Sequence, residues 1–91
     1  METHILNYRI IIEPEKLKTG KIVYNALCPT LDVVDWGNSV EKATEHIKEA
    51  IECHIEFLVK HNRSIPNPDQ QEFMITSTAI SLPKEFLPSF I

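Results

Sequence analysis

The sequence predicts an α+β fold, an antiparallel three-stranded sheet with one long helix and a C-terminal strand in the order β-β-β-α-β. Three observations predict it. Short runs rich in β-branched and aromatic residues, separated by stretches bearing proline or glycine, fill the first part of the chain. A long segment with apolar positions every three or four residues follows, and a further alternating run comes after a proline-rich stretch. The 91 residues suit one domain. Within it, residues 1–69 are expected to hold the α+β body and residues 70–91 a C-terminal strand and apolar tail serving oligomerisation.

Residues 5–12 (ILNYRIII) form the first expected strand, with Tyr8, Ile10 and Ile12 on one face and Asn7 and Arg9 on the other. EPEKLKTG then supplies Pro14, charged side chains and Gly20, a polar connection that reverses the chain. KIVYNALC resumes as the hairpin partner and ends at Pro29, and residues 31–36 (LDVVDW) read as a short third strand. Gly37, Asn38 and Ser39 mark a helix start: either Asn38 or Ser39 can accept from an orphan amide, and Asn38 with Glu41 resembles a capping box.

From Val40 onward, Val40, Ala43, Ile47, Ala50, Ile51, His54 and Leu58 line one side of an amphipathic helix of about six turns. Glu41, Glu45, Lys48, Glu49, Glu52 and Glu56 line the other, a solvated stripe with glutamates spaced to pair with Lys48 and Lys60 at i,i+4. Cys53, Ile55, Phe57 and Val59 widen the apolar face beyond what a three-stranded sheet covers, so further packing is expected there. HNRSIPNPDQQ reads as an extended linker. Residues 73–83 alternate as a fourth strand that adds to a sheet edge here or in another subunit, and the tail KEFLPSFI is expected to dock on protein.

The net charge of −4 gives no attraction toward nucleic acid phosphates and suits a basic protein partner. The longest uncharged stretches, residues 22–31 and 73–83, fall well short of the roughly 20 apolar residues of a spanning helix. The N-terminus lacks a basic region ahead of a continuous apolar run, so a cytoplasmic location is expected. Cys28 and Cys53 form no CxxC pair and read as small core hydrophobes. No metal centre is expected, because His46, His54 and His61 are too far apart along the helix to share one ion. No cofactor is expected either, since no phosphate loop or nucleophile elbow is present. The acids Glu13, Asp32 and Asp35 do not converge in the manner of a two-ion nuclease. Trp36 either lids the sheet–helix core or anchors an interface.

Taken in order, YRIIIEP, KIVYNALCPTL, WGNSVEKATEHIKEAIECHIEFL and IPNP resemble a HicB-type antitoxin domain over residues 8–68. The matching positions are Tyr8, Ile10 and Ile11; Pro29 and Leu31; Gly37, Ser39, Ala43, Ile47, Glu49, Ala50 and Ile51; and Ile65, Pro66 and Pro68. Asp32, Val33 and Val34 stand where the family often has P-G-C, and Gly37, Asn38 and Ser39 replace its G-D-T, so the departures bear on the turn beside the third strand. The resemblance implies a partial RNase H-like fold that is not an enzyme and that binds and neutralises a small basic HicA-type RNA-cleaving toxin. ISLPKEFLPSFI resembles the opening of a ribbon-helix-helix, but that unit needs two helices and Pro88 interrupts the one candidate, so direct DNA binding is not expected.

On this reading, Trp36, Glu45, Glu49, Glu52 and Glu56 are the candidate partner contacts. Phe57, Phe73, Ile75, Ile80, Phe86 and Phe90 are the candidates for self-association into a homodimer or homotetramer. The alternative is an orphan homo-oligomeric scaffold or small-ligand module on the same fold, motivated by the wide apolar end of the helix and the apolar tail.

Overall fold

The computed structural model describes residues 4–69, 74–86 and 89. Strands β1 (Ile11–Lys16), β2 (Ile22–Cys28) and β3 (Val33–Gly37) form an antiparallel sheet in the order β1-β2-β3, and helix α1 (Val40–Lys60) follows. This is the α+β architecture the sequence predicts, with α1 lying chiefly over β3 and β2.

The strand boundaries differ from the periodicity reading for a reason that lies in the partner strand. Ile11 pairs with Leu27, and the ladder continues to Lys16 opposite Ile22. Pro29, which would face Arg9 in this register, turns the chain immediately beyond Cys28, so residues 5–9 have no ladder partner and the first strand begins later than expected. It also runs further, taking up Glu13–Lys16 of the expected connection. Pro14 is tolerated there because β1 is an edge strand, where a missing backbone N–H can face outward. The reversal narrows to Leu17 and its successors: the Leu17 N–H donates to Lys21 O at 2.8 Å and the Gly20 N–H to Leu17 O at 2.9 Å. Gly20 has φ +92°, a conformation that suits a residue without Cβ. The third strand starts at Val33 rather than at Leu31, because residues 29–32 form a turn that Asp32 completes with φ +53°.

The helix begins where the composition indicates, at Ser39. Its hydroxyl accepts from the Lys42 N–H at 3.0 Å, so Ser39 is the cap and the Asn38–Glu41 capping box does not form. At the other end the Asn62 N–H reaches Val59 O at 3.2 Å and the Arg63 N–H reaches Leu58 O at 2.8 Å. This is the Schellman pattern, with Asn62 at φ +54° in the left-handed position usually held by glycine.

The core is small. Ala26, Cys28, Leu31, Ala43 and Ile47 are buried together, with Tyr8, Ile10, Ile12, Tyr24, Val33 and Ile51 packed around them. Cys28 takes the expected place of a small core hydrophobe. Cys53 does not: it is exposed, because it lies about 240° around the helix from buried Ile47. The expected i,i+4 ion pairs are also replaced. The ion pair on the helix is Lys42–Glu45 at 3.3 Å, spaced i,i+3 and well exposed, and therefore worth little.

Residues 65–69 are no free linker. They return beside the N-terminal segment, where the Asp69 N–H donates to Asn7 O at 2.9 Å and the Tyr8 hydroxyl donates to Pro66 O at 2.7 Å. Residues 74–83, the described part of the expected fourth strand, join no sheet within the chain. Nor does the described part of the tail dock on its own body, since Phe86 remains 62% exposed. Phe73 and Phe90 lie outside the described residues.

Candidate functional site

One face of the sheet carries the helix and the other is open. Strand alternation sends Tyr24, Ala26 and Cys28 toward α1 and places Asn25 and Leu27 on the opposite face. The register then aligns Ile11, Leu27 and Val34 in one cross-strand row, and Glu13, Asn25 and Trp36 in a second. These two rows line a shallow depression of about 420 Å³.

Trp36 is 54% exposed and Val34 68% exposed on this surface. Trp36 is thus no lid over the sheet–helix core: it projects from the face that α1 does not cover, because Val33, Asp35 and Gly37 take the alternate, less exposed positions of β3. Large apolar side chains in adjacent rows form a contiguous patch rather than scattered surface residues. Glu13 and Glu15 bring negative charge to its β1 side, and the Asn25 amide donates to Glu15 Oε1 at 2.8 Å, holding that carboxylate over the sheet.

The backbone beside the patch is held by side chains. The Trp36 N–H donates to Asp35 Oδ1 at 2.8 Å, and Trp36 O accepts from His46 Nδ1 at 2.7 Å, which places the ring proton on Nδ1. With both its polar backbone groups engaged, Trp36 offers a strand-forming partner little at the β3 edge. Pro14 removes a donor from the other edge strand. The exposed large apolar side chains Val34 and Trp36 stand on the face of the sheet.

The helix glutamates Glu45, Glu49, Glu52 and Glu56 are all exposed and lie on α1, away from the open sheet face. Trp36 and the glutamate stripe therefore occupy different faces of the molecule. His61 caps the helix, its Nδ1 bonding Phe57 O at 2.9 Å, and its ring stacks on Phe57 at 4.2 Å between centroids. Among the described residues, no group of three or more His, Cys, Asp or Glu side chains is placed to hold a metal ion.

A second polar cluster, centred on Asp69, had no signal in the local pattern. Its carboxylate accepts from the Arg9 N–H at 2.7 Å and from the Thr30 hydroxyl at 2.8 Å, and the Arg9 guanidinium lies 3.8 Å away. Three separate segments thus meet on one side chain: the N-terminal segment, the turn before β3, and the chain that returns after α1. The Arg9 backbone bond holds the Asp69 carboxyl below its usual range, helped by Thr30 and the Arg9 charge and opposed by partial burial. Burial raises the neighbouring Tyr8 phenol, with smaller contributions from Cys28 and Asp69.

The depressed Asp69 carboxyl sets a pH dependence. A carboxyl that binds its proton less tightly when folded adds stability above its unfolded value, near 3.9, and loses it as the pH falls through the lower folded value. Melting temperature measured from neutral pH down to pH ~2 should fall along this acid limb, and Asp69→Asn should flatten it while lowering stability at neutral pH. An unchanged acid limb in the variant would show that Asp69 does not carry it.

The chain is similar to the "UPF0150 protein ssr1765" of Synechocystis sp. (strain ATCC 27184 / PCC 6803 / Kazusa), with 38% identity over 66 aligned residues that cover 71% of this chain and 78% of that protein. The chain belongs to the UPF0150 family. No family model matches it, and no solved structure matches it. Among the described residues, no helix is long and apolar enough to cross a membrane.

Proposed function

We propose that this chain is a non-enzymatic HicB-like antitoxin that neutralises a small basic HicA-type RNA-cleaving toxin, and that the open face of the sheet is its contact surface. The observation that carries the proposal is the pair of rows Ile11–Leu27–Val34 and Glu13–Asn25–Trp36 on the sheet face opposite the helix, with Val34 and Trp36 well exposed. A large exposed aromatic beside apolar neighbours, with charge at the margin of the patch, is the arrangement in which a few residues dominate binding energy. Glu13 and Glu15, on a chain of net charge −4, would steer a basic partner toward that patch and disfavour acidic ones.

The non-catalytic part of the reading is supported by how the strand acids are used. Asp35 is engaged by the Trp36 backbone and Glu15 by Asn25, so each has a structural partner. Glu45, Glu49, Glu52 and Glu56 remain candidates for contributing long-range charge from the helix, at a distance from the apolar patch.

The test is co-expression of the tagged chain with its adjacent open reading frames, followed by mass spectrometry of whatever is retained. The expected result is a stoichiometric small basic protein that arrests growth when expressed alone. Recovery of the chain without any such partner would leave the family assignment in place and remove the antitoxin reading.

A further inference from the structure

The apolar surface that the helix and sheet leave uncovered includes a groove distinct from the open sheet face. It runs between the N-terminal segment, through Leu6, Tyr8 and Ile10, and the α1 positions Ile47, Ile51 and Ile55, and encloses about 360 Å³. Lys48 and Glu52 stand on its rim. This is where the helix has more apolar surface than the three strands cover, because 21 helical residues span about 31 Å whereas strands of five to seven residues span roughly 17–23 Å.

The same chain carries a segment with the complementary property. Met74, Ile75, Ile80 and Leu82 are 86%, 76%, 76% and 55% exposed and belong to no strand or helix of the body. No charged side chain occurs between Met74 and Pro83, so the segment could enter an apolar groove without desolvating a charge. We propose that residues 74–82 form an arm that seats in the groove of a second copy of this chain, reciprocally, so that two arms and two grooves close a symmetric dimer.

Residues 74–82 do not line the groove of their own chain, and their length lets them reach that of a second copy. Asp69 is bonded to Asn7, which lines the groove, so the chain leaves the body at the groove's own margin. The groove extends along α1 from Thr44 to Ile55, about 16 Å at the helical rise. The eleven residue steps from Asp69 to Ile80 allow a reach of about 36 Å, enough to pass the end of that groove and enter a neighbour's. An extended stretch of about five residues fills 16 Å, and alternation over residues 78–82 points Ile80 and Leu82 the same way. The engaged backbone at Trp36 and the proline in β1 make seating in a groove, rather than addition to a sheet edge, the arrangement this fold accommodates. Exchange of identical elements closes at two copies and leaves no unmatched arm.

The test uses the full chain in light scattering at tens of micromolar, where the expected mass is twice the 10.5 kDa of one copy. Ile80→Asp with Leu82→Asp should raise the dimer dissociation constant at least ~100-fold while the far-ultraviolet helix signal stays unchanged, since neither residue belongs to the folded body. For the seating itself, two separate chains carrying Ile80→Cys and Lys48→Cys, each with Cys53→Ser, are mixed under mild oxidation and should give a disulfide-linked heterodimer. A wild-type monomer, a dimer that survives the double aspartate variant, or a mixture that forms no cross-linked heterodimer would each overturn the proposal. So would a disulfide that closes within a monomer bearing both cysteines.

Discussion

Alanine in place of Gly37 is expected to cost the fold about 3 kcal/mol, the upper part of the range for forcing extra volume into a packed site. Gly37 is buried at the end of β3, two residues before the helix cap. A Cβ at this position would collide with Ala43 N and lie 2.7 Å from the Lys42 carbonyl carbon and 2.9 Å from Lys42 Cβ. The first two are backbone atoms of the opening helical turn, so no rotamer change relieves them. The requirement is space and not conformation, because Gly37 is not among the positive-φ residues.

Relief would have to come from sliding the helix off the sheet, and that movement has further costs. Ala43 and Ile47 are almost fully buried against the strands, and the His46–Trp36 bond of 2.7 Å links the same two elements. For a domain of this size the penalty corresponds to a fall in melting temperature of roughly 15 °C. Urea unfolding followed by helix circular dichroism measures it directly. A loss below about 1 kcal/mol would mean that the junction between β3 and α1 is softer than this packing implies.

What the sequence could and could not disclose follows from how far each interaction reaches. The helix start was legible because Ser39 acts on an amide three residues away, and the apolar repeat through Ala43, Ile47 and Leu58 reports a face by itself. Strand boundaries were less legible because they are set by a partner. Residues 5–9 have the composition of a strand, yet Pro29 leaves them unpaired, while Glu13–Lys16 pair despite their polarity. Asp69 was invisible to local pattern because its contacts with Arg9 and Thr30 join positions 60 and 39 residues apart. Cys53 shows the limit of residue type as a guide, since a residue that favours interiors lies on the outer side of a helix. For Trp36 the alternation was present, but five residues of strand did not reveal which face the helix would take.

Trp36→Ala is expected to weaken binding of the proposed basic partner by at least ~2 kcal/mol, about 30-fold in dissociation constant, with little effect on the fold. The size follows from position: Trp36 presents the largest side chain on the open face and stands in a row with Glu13 and Asn25, while Val34 and Leu27 supply the adjoining row. The small effect on stability follows from exposure, because the side chain is 54% accessible in the single chain and packs in no part of the buried cluster. Its backbone bonds to Asp35 and His46 do not depend on the side chain and should survive.

The comparison that gives this prediction force is Glu45→Gln, Glu49→Gln, Glu52→Gln and Glu56→Gln combined on the helix. Those side chains are exposed and on a different face, so if the sheet is the contact surface their loss acts through long-range charge alone. It should slow association and weaken its salt dependence, leaving the dissociation rate nearly unchanged. Trp36→Ala should do the reverse, raising the dissociation rate while association at low salt stays close to that of the unmodified chain. Surface plasmon resonance against the co-purified partner separates the two. If the helix variants raise the dissociation rate and Trp36→Ala does not, the partner sits on α1 and the open sheet face must be assigned another role.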